Sequence, residues 1–116
     1  MRAAALLAAT LALAVPAAAA VPPPARVQVV AKEFSLSLSR PSVKAGAAVV
    51  ELANFGEDPH DLRLQRIGGT KVYGTPVVQP GGVYDLSVRL LPGRYRFWCS
   101  LGDHRARGMV ATLLVR

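Results

Sequence analysis

The stretch "CSLGDHRARGM", residues 99 to 109, holds the only cysteine of the chain, one of its two histidines, and its only methionine besides Met1. Four residues separate Cys99 from His104 and four separate His104 from Met109, so a loop that folds back on itself can bring their side chains together. A thiolate and two imidazoles, with a weakly bound thioether, are a donor set that holds copper for one-electron chemistry. The second imidazole must then be His60, the one other histidine. Taken singly, each residue has a plainer reading: Met109 as core filler, His60 and His104 as surface histidines, Cys99 as a small buried apolar group. Zinc also accepts a Cys-His-His set, but a thioether is a poor zinc ligand and tips the inventory toward copper. A cysteine nucleophile activated by a histidine is the enzymatic alternative. It leaves Met109 without a role and asks for a substrate cleft that so short a chain has little room to build.

The elements around these residues read as strands. In "RYRFWC", Tyr95, Phe97 and Cys99 fall on one face and Arg94, Arg96 and Trp98 on the other, which points Cys99 toward a core at the end of its strand. In "RVQVVAKEFSLSLS", Phe34, Leu36 and Leu38 alternate with Ser35, Ser37 and Ser39, the pattern of a half-buried strand. "AAVVELANF" and "HDLRLQRI" are the next two, joined by the polar turn "GEDP", with His60 opening the second. "KVYGTPVV", residues 71–78, reads as an edge strand or a short loop helix. "VYDLSVRL" follows the turn "QPGG", and "MVATLLVR" closes the chain. About seven short antiparallel strands separated by Gly and Pro turns predict an all-β Greek-key β-sandwich.

Residues 1–20, "MRAAALLAATLALAVPAAAA", set one arginine before an apolar run ending in small residues, as a secretory signal peptide does. Cleavage is expected after Ala20, with Ala18 and Ala19 as alternatives. The run is less bulky than a spanning helix requires. Residues 21–26 then form a proline-rich linker and residues 27–116 a single domain. Loss of Arg2 with the leader leaves thirteen cations against seven acids, a balance of +6. In an exported protein, periplasmic or extracellular, such a charge suits a redox partner with an acidic face or an anionic envelope surface rather than nucleic acid. One cysteine cannot form an internal disulfide, and an exposed thiol outside the cytoplasm would be oxidised. Cys99 is therefore expected to be buried or held by a metal. A monomer is expected.

At "NFGEDPHDL" and "LPGRYRFWCSLGDHRARGM" the sequence resembles the cupredoxins, the family of plastocyanin, azurin and auracyanin. The resemblance covers nearly all of residues 27–116, and the spacing around His104 is nearer to auracyanin than to plastocyanin. It implies one type 1 copper ion with equatorial ligands His60, Cys99 and His104 and an axial Met109. It also implies an electron carrier and not an enzyme, since both histidines are used and none remains for a second, open metal site. A copper carrier or storage protein is the alternative function, although such proteins tend to be richer in methionine. Two positions depart from the family pattern. Gly102 and Asp103 replace a common Pro-Gly before the second histidine, and Asp61 replaces a common asparagine after the first. The Asp61 carboxylate is expected to accept hydrogen bonds from Ser100 and to lower the reduction potential through its charge.

Overall fold

A computed structural model describes residues 1–18 and 20–116. Ala19, one of the alternative cleavage positions, lies outside the described residues. Residues 1–18 and 20–24 carry no helix or strand, and no described helix is long and apolar enough to cross a membrane.

Nine strands follow: β1 (Ala25–Lys32), β2 (Ser35–Leu38), β3 (Ser42–Val43), β4 (Gly46–Asn54), β5 (Arg63–Arg66), β6 (Val72–Gly74), β7 (Val83–Leu90), β8 (Gly93–Trp98) and β9 (Val110–Val115). They form two sheets, ordered β2-β1-β4-β7 and β3-β9-β8-β5-β6. The chain is an all-β sandwich. Nine strands stand where about seven are expected, because the stretch 26–39 divides into β1 and β2 and the two-residue β3 adds to the second sheet.

Period-2 alternation explains which side chains meet. Val27, Val29 and Ala31 of β1, and Ala48, Val50 and Leu52 of β4, face inward against Leu64, Tyr95, Phe97 and Leu113 of the other sheet. Leu36 is buried and Leu38 half-buried while Ser35, Ser37 and Ser39 are exposed, as their alternation predicts. Tyr95, Phe97 and Cys99 are buried and Arg94 and Arg96 exposed. The Tyr95 hydroxyl accepts a 2.9 Å bond from the Leu91 N–H, which satisfies a buried phenol and closes the "LPG" turn.

The pairing is not wholly antiparallel. β1 runs parallel to β4, and β3 parallel to β9. The chain leaves the first sheet after β2, adds β3 to the second sheet, and re-enters the first in the direction of β1, so a crossover replaces a hairpin. Residues 25 and 26 of the expected linker already belong to β1. Segment 71–78 contains the edge strand β6, paired with β5, and not a helix. His60 does not open β5. It precedes that strand and forms an isolated bridge to Val78, with His60 N–H donating to Val78 O at 3.1 Å and Val78 N–H to His60 O at 2.7 Å.

Candidate metal centre

β8 ends at Trp98, and the alternation that buries Phe97 carries Cys99 into the interior at one end of the sandwich. The chain then turns through residues 100–108 before β9. Backbone bonds close this loop locally: His104 N–H to Leu101 O, Arg107 N–H to Asp103 O, Met109 N–H to His104 O, and Cys99 N–H to Met109 O. Gly102 sits at φ +47°, in the left-handed region that a proline cannot enter, so the residue that departs from the family pattern serves a different turn.

The loop and the bridge at Val78 bring three donors together. Cys99 Sγ lies 3.9 Å from His60 Nδ1 and 3.6 Å from His104 Nδ1, and the two imidazole nitrogens are 3.2 Å apart. A triangle with these edges has its centre about 2.1 Å from each corner, close to ordinary metal–imidazole and metal–thiolate bond lengths. One ion fits there. His60 and Cys99 are fully buried and His104 half-buried, so the site opens to solvent at the His104 edge. Burial pushes the Cys99 thiol above its usual pKa, the electrostatic cost that a bound cation reverses by taking the thiolate.

His60 is held from behind by a residue to which the sequence reading assigned no role. Glu33, in the turn between β1 and β2, places Oε1 2.7 Å from His60 Nε2. With Nε2–H donating to that carboxylate, the Nδ1 lone pair is directed at the triangle. Glu33 also accepts the Asp58 N–H at 2.8 Å and the Glu57 N–H at 3.1 Å, and these two backbone bonds chiefly hold its carboxyl down to about 2. The approach is close. A Cβ on Gly56 would collide with the Glu33 carboxylate, so glycine is the residue that fits there. Buried Asn54 braces the same turn, its Nδ2 donating to Asp58 O at 2.8 Å and Val78 O at 2.9 Å while its Oδ1 accepts the Gly56 N–H at 2.9 Å. A glutamate twenty-seven residues before His60 carries no local spacing signal, because only the fold places the β1–β2 turn beside it.

Asp61 accepts the hydrogen bonds expected from Ser100. Its Oδ1 accepts the Ser100 N–H at 2.7 Å, its Oδ2 accepts the Ser100 hydroxyl, and Arg63 Nη2 lies 3.4 Å from Oδ2. The carboxylate thus ties the His60 segment to the Cys99 loop. Met109, also assigned to the site by sequence, is fully buried next to this loop, with its backbone bonded to both Cys99 and His104.

The profile of the cupredoxin-like domain matches residues 3–112. The chain belongs to the cupredoxin family. No curated protein sequence matches it. Among solved structures it is similar to reduced auracyanin from Roseiflexus castenholzii, with a TM-score of 0.64, 16% identity, and coverage of 78% of this chain and 96% of that one. Auracyanin A, described as a blue copper protein from Chloroflexus aurantiacus, gives 0.65 at 13% identity and covers 81% of this chain and 100% of its own. The purple cupredoxin of Nitrosopumilus maritimus gives 0.56 at 20% identity, with coverages of 77% and 98%. At these identities the likeness is one of fold. The group that suits this cupredoxin's thiolate and two imidazoles is a single type 1 copper ion.

Around the cupredoxin's open edge, the arginines that flank His104 rest on aromatic faces. Arg105 lies 4.7 Å from the centroid of Trp98, and Arg107 lies 4.1 Å from that of Phe34, whose ring is itself 5.2 Å from the His104 ring.

Proposed function

We propose that this cupredoxin is an exported one-electron carrier, working between redox partners in the cell envelope. The observation that carries the reading is the donor triangle of His60, Cys99 and His104, assembled with 3.2–3.9 Å edges and braced by Glu33 and Asp61. Copper, when bound, would supply the Cu(II)/Cu(I) couple. His60 and His104 would hold it through Nδ1, Cys99 through its thiolate, and Met109 through a weaker thioether.

The residues around the site limit how far the ligands can move when the charge changes. Glu33 fixes the His60 ring, Asp61 fixes the start of the Cys99 loop, and the loop's backbone bonds fix His104. A small rearrangement means a fast electron, because little structure has to be reorganised. Burial of Cys99, His60 and Met109 keeps water away and leaves the half-buried His104 edge as the route to a partner. Arg105 and Arg107 beside that edge favour acidic groups on the partner. Both histidines are committed to one site, which leaves no imidazole for a second metal and speaks for a carrier over an enzyme.

Loading the purified protein with Cu(II) tests this. Intense visible thiolate-to-copper absorption is expected, with none in Cys99→Ser, together with reversible one-electron reduction. A colourless wild-type complex that surrenders Cu(I) to a modest chelator would instead indicate copper carriage.

A further inference from the structure

The surplus positive charge of the chain is not where the metal site is. β1 runs from Ala25, opposite Ala48, to Ala31, opposite Asn54, and Asn54 braces the His60 turn. The donor triangle therefore lies at one pole and the start of β1 at the other, about 20 Å away at some 3.3 Å per strand residue. Five of the seven carboxylates, Glu33, Glu57, Asp58, Asp61 and Asp103, sit at the donor pole or in its loops. At the opposite pole Arg40, Lys44 and Arg89 surround a groove of about 480 Å³ against which Val21, Pro22 and Pro23 lie. Beside it stand Arg66, bonded to Pro92 O at the β7–β8 turn, and Arg94, whose carbonyl accepts the Ile67 N–H. None of these five cations is in an ion pair among the described residues.

We propose that this basic pole docks on an anionic lipid bilayer and holds the donor pole outward. Two observations favour lipid over an acidic protein. Until it is cleaved during export, the apolar run 1–20 joins the domain at this pole, only residues 21–24 away from β1, so the domain meets the membrane with these cations toward the headgroups. The adjoining loop tips also expose apolar side chains, Ile67 at 52% and Leu91 at 56%, between the cations. Cations that neutralise headgroups beside apolar tips that enter the interface are the composition of a membrane-resting face. In that pose the His104 edge faces away from the bilayer, open to a partner in the aqueous phase.

Sedimentation of the full chain with vesicles decides the matter, and needs no copper. Phosphatidylcholine vesicles are compared with vesicles that also contain phosphatidylglycerol. The run's own cations, the Met1 amine and Arg2, are the same in every variant, so the loss on changing Arg40, Lys44 and Arg89 isolates the charge of this pole. The anionic vesicles are expected to bind more tightly. Arg40→Gln with Lys44→Gln and Arg89→Gln should weaken that binding roughly a hundredfold, and each single change about fivefold, while Arg105→Gln with Arg107→Gln leaves it unchanged. Trp98, the only tryptophan, is at the donor pole and should escape a quencher anchored in the headgroups. Equal binding to both vesicles, an equal loss from the Arg105 and Arg107 changes, or quenching of Trp98 would overturn the proposal. Binding to soluble polyglutamate as tight as to the anionic vesicles would overturn it in favour of an acidic protein.

Discussion

The two segments that supply the donors are built in opposite ways. Residues 99–109 carry two of the three convergent donors and Met109, and their loop is closed mainly by backbone bonds between residues three to ten apart. The segment 54–61 carries one donor, and side chains hold it in place: Asn54 within the turn, Glu33 from another strand pair, and Asp61 reaching across to Ser100. The first is a local loop whose shape follows from its own sequence. The second is a turn whose shape depends on three polar side chains being at the right place in the fold. A site made of both halves should fail differently depending on which half is disturbed.

Asn54→Ala should cost the most. It removes a side chain that is fully buried and bonded three times, leaving the Asp58 carbonyl and the Gly56 N–H without partners while Val78 O keeps only the His60 N–H, for a loss of about 2 kcal/mol in chemical denaturation. The copper affinity should drop with it, since the turn that carries His60 loosens.

Glu33→Gln should leave the fold stable and act on the metal. Without the carboxylate behind Nε2, His60 is a weaker and less well-oriented donor, and the affinity for copper should fall about tenfold in competition with a chelator. If affinity is unchanged, the 54–61 turn is held by Asn54 and Asp61 without Glu33.

In the other half, Met109→Leu should keep both the colour and most of the stability, because the thioether proposed for Met109 would be the weakest donor and the volumes are similar. The reduction potential should rise, as measured by redox titration, and an unchanged potential would make Met109 core only.

The smallest effect is expected at the rim. Arg105→Glu with Arg107→Glu should leave the spectrum intact and slow electron transfer to an acidic partner at low salt. The difference should fade near 0.1 M salt, where the Debye length is about 10 Å. Transfer at the wild-type rate at every ionic strength would place the partner elsewhere.

Much of this was legible in the chain. The strands read from "VYDLSVRL", "RYRFWC" and "MVATLLVR" lie within a residue or two of β7, β8 and β9, because alternating side chains and glycine or proline turns act over a few residues. Asp61 could be paired with Ser100 on the strength of family resemblance, and the bonds are there. The bridge of His60 to Val78 was not legible, nor was the grip of Glu33. Each joins segments that have no periodic relation.

What the sequence determined alone is the donor inventory and the face on which each strand residue falls: one thiol, two imidazoles and one internal thioether, with Cys99 on the buried parity of Tyr95 and Phe97. Backbone geometry forces that alternation whatever the strand's neighbours are. The tertiary structure decided which strands are neighbours, that β1 and β4 run parallel, that a glutamate from the first turn stands behind His60, and that Arg40, Lys44 and Arg89 gather at the pole opposite the donors. Those outcomes depend on how two sheets bury a shared core. That is a property of all the strands together and is written in no single stretch of them.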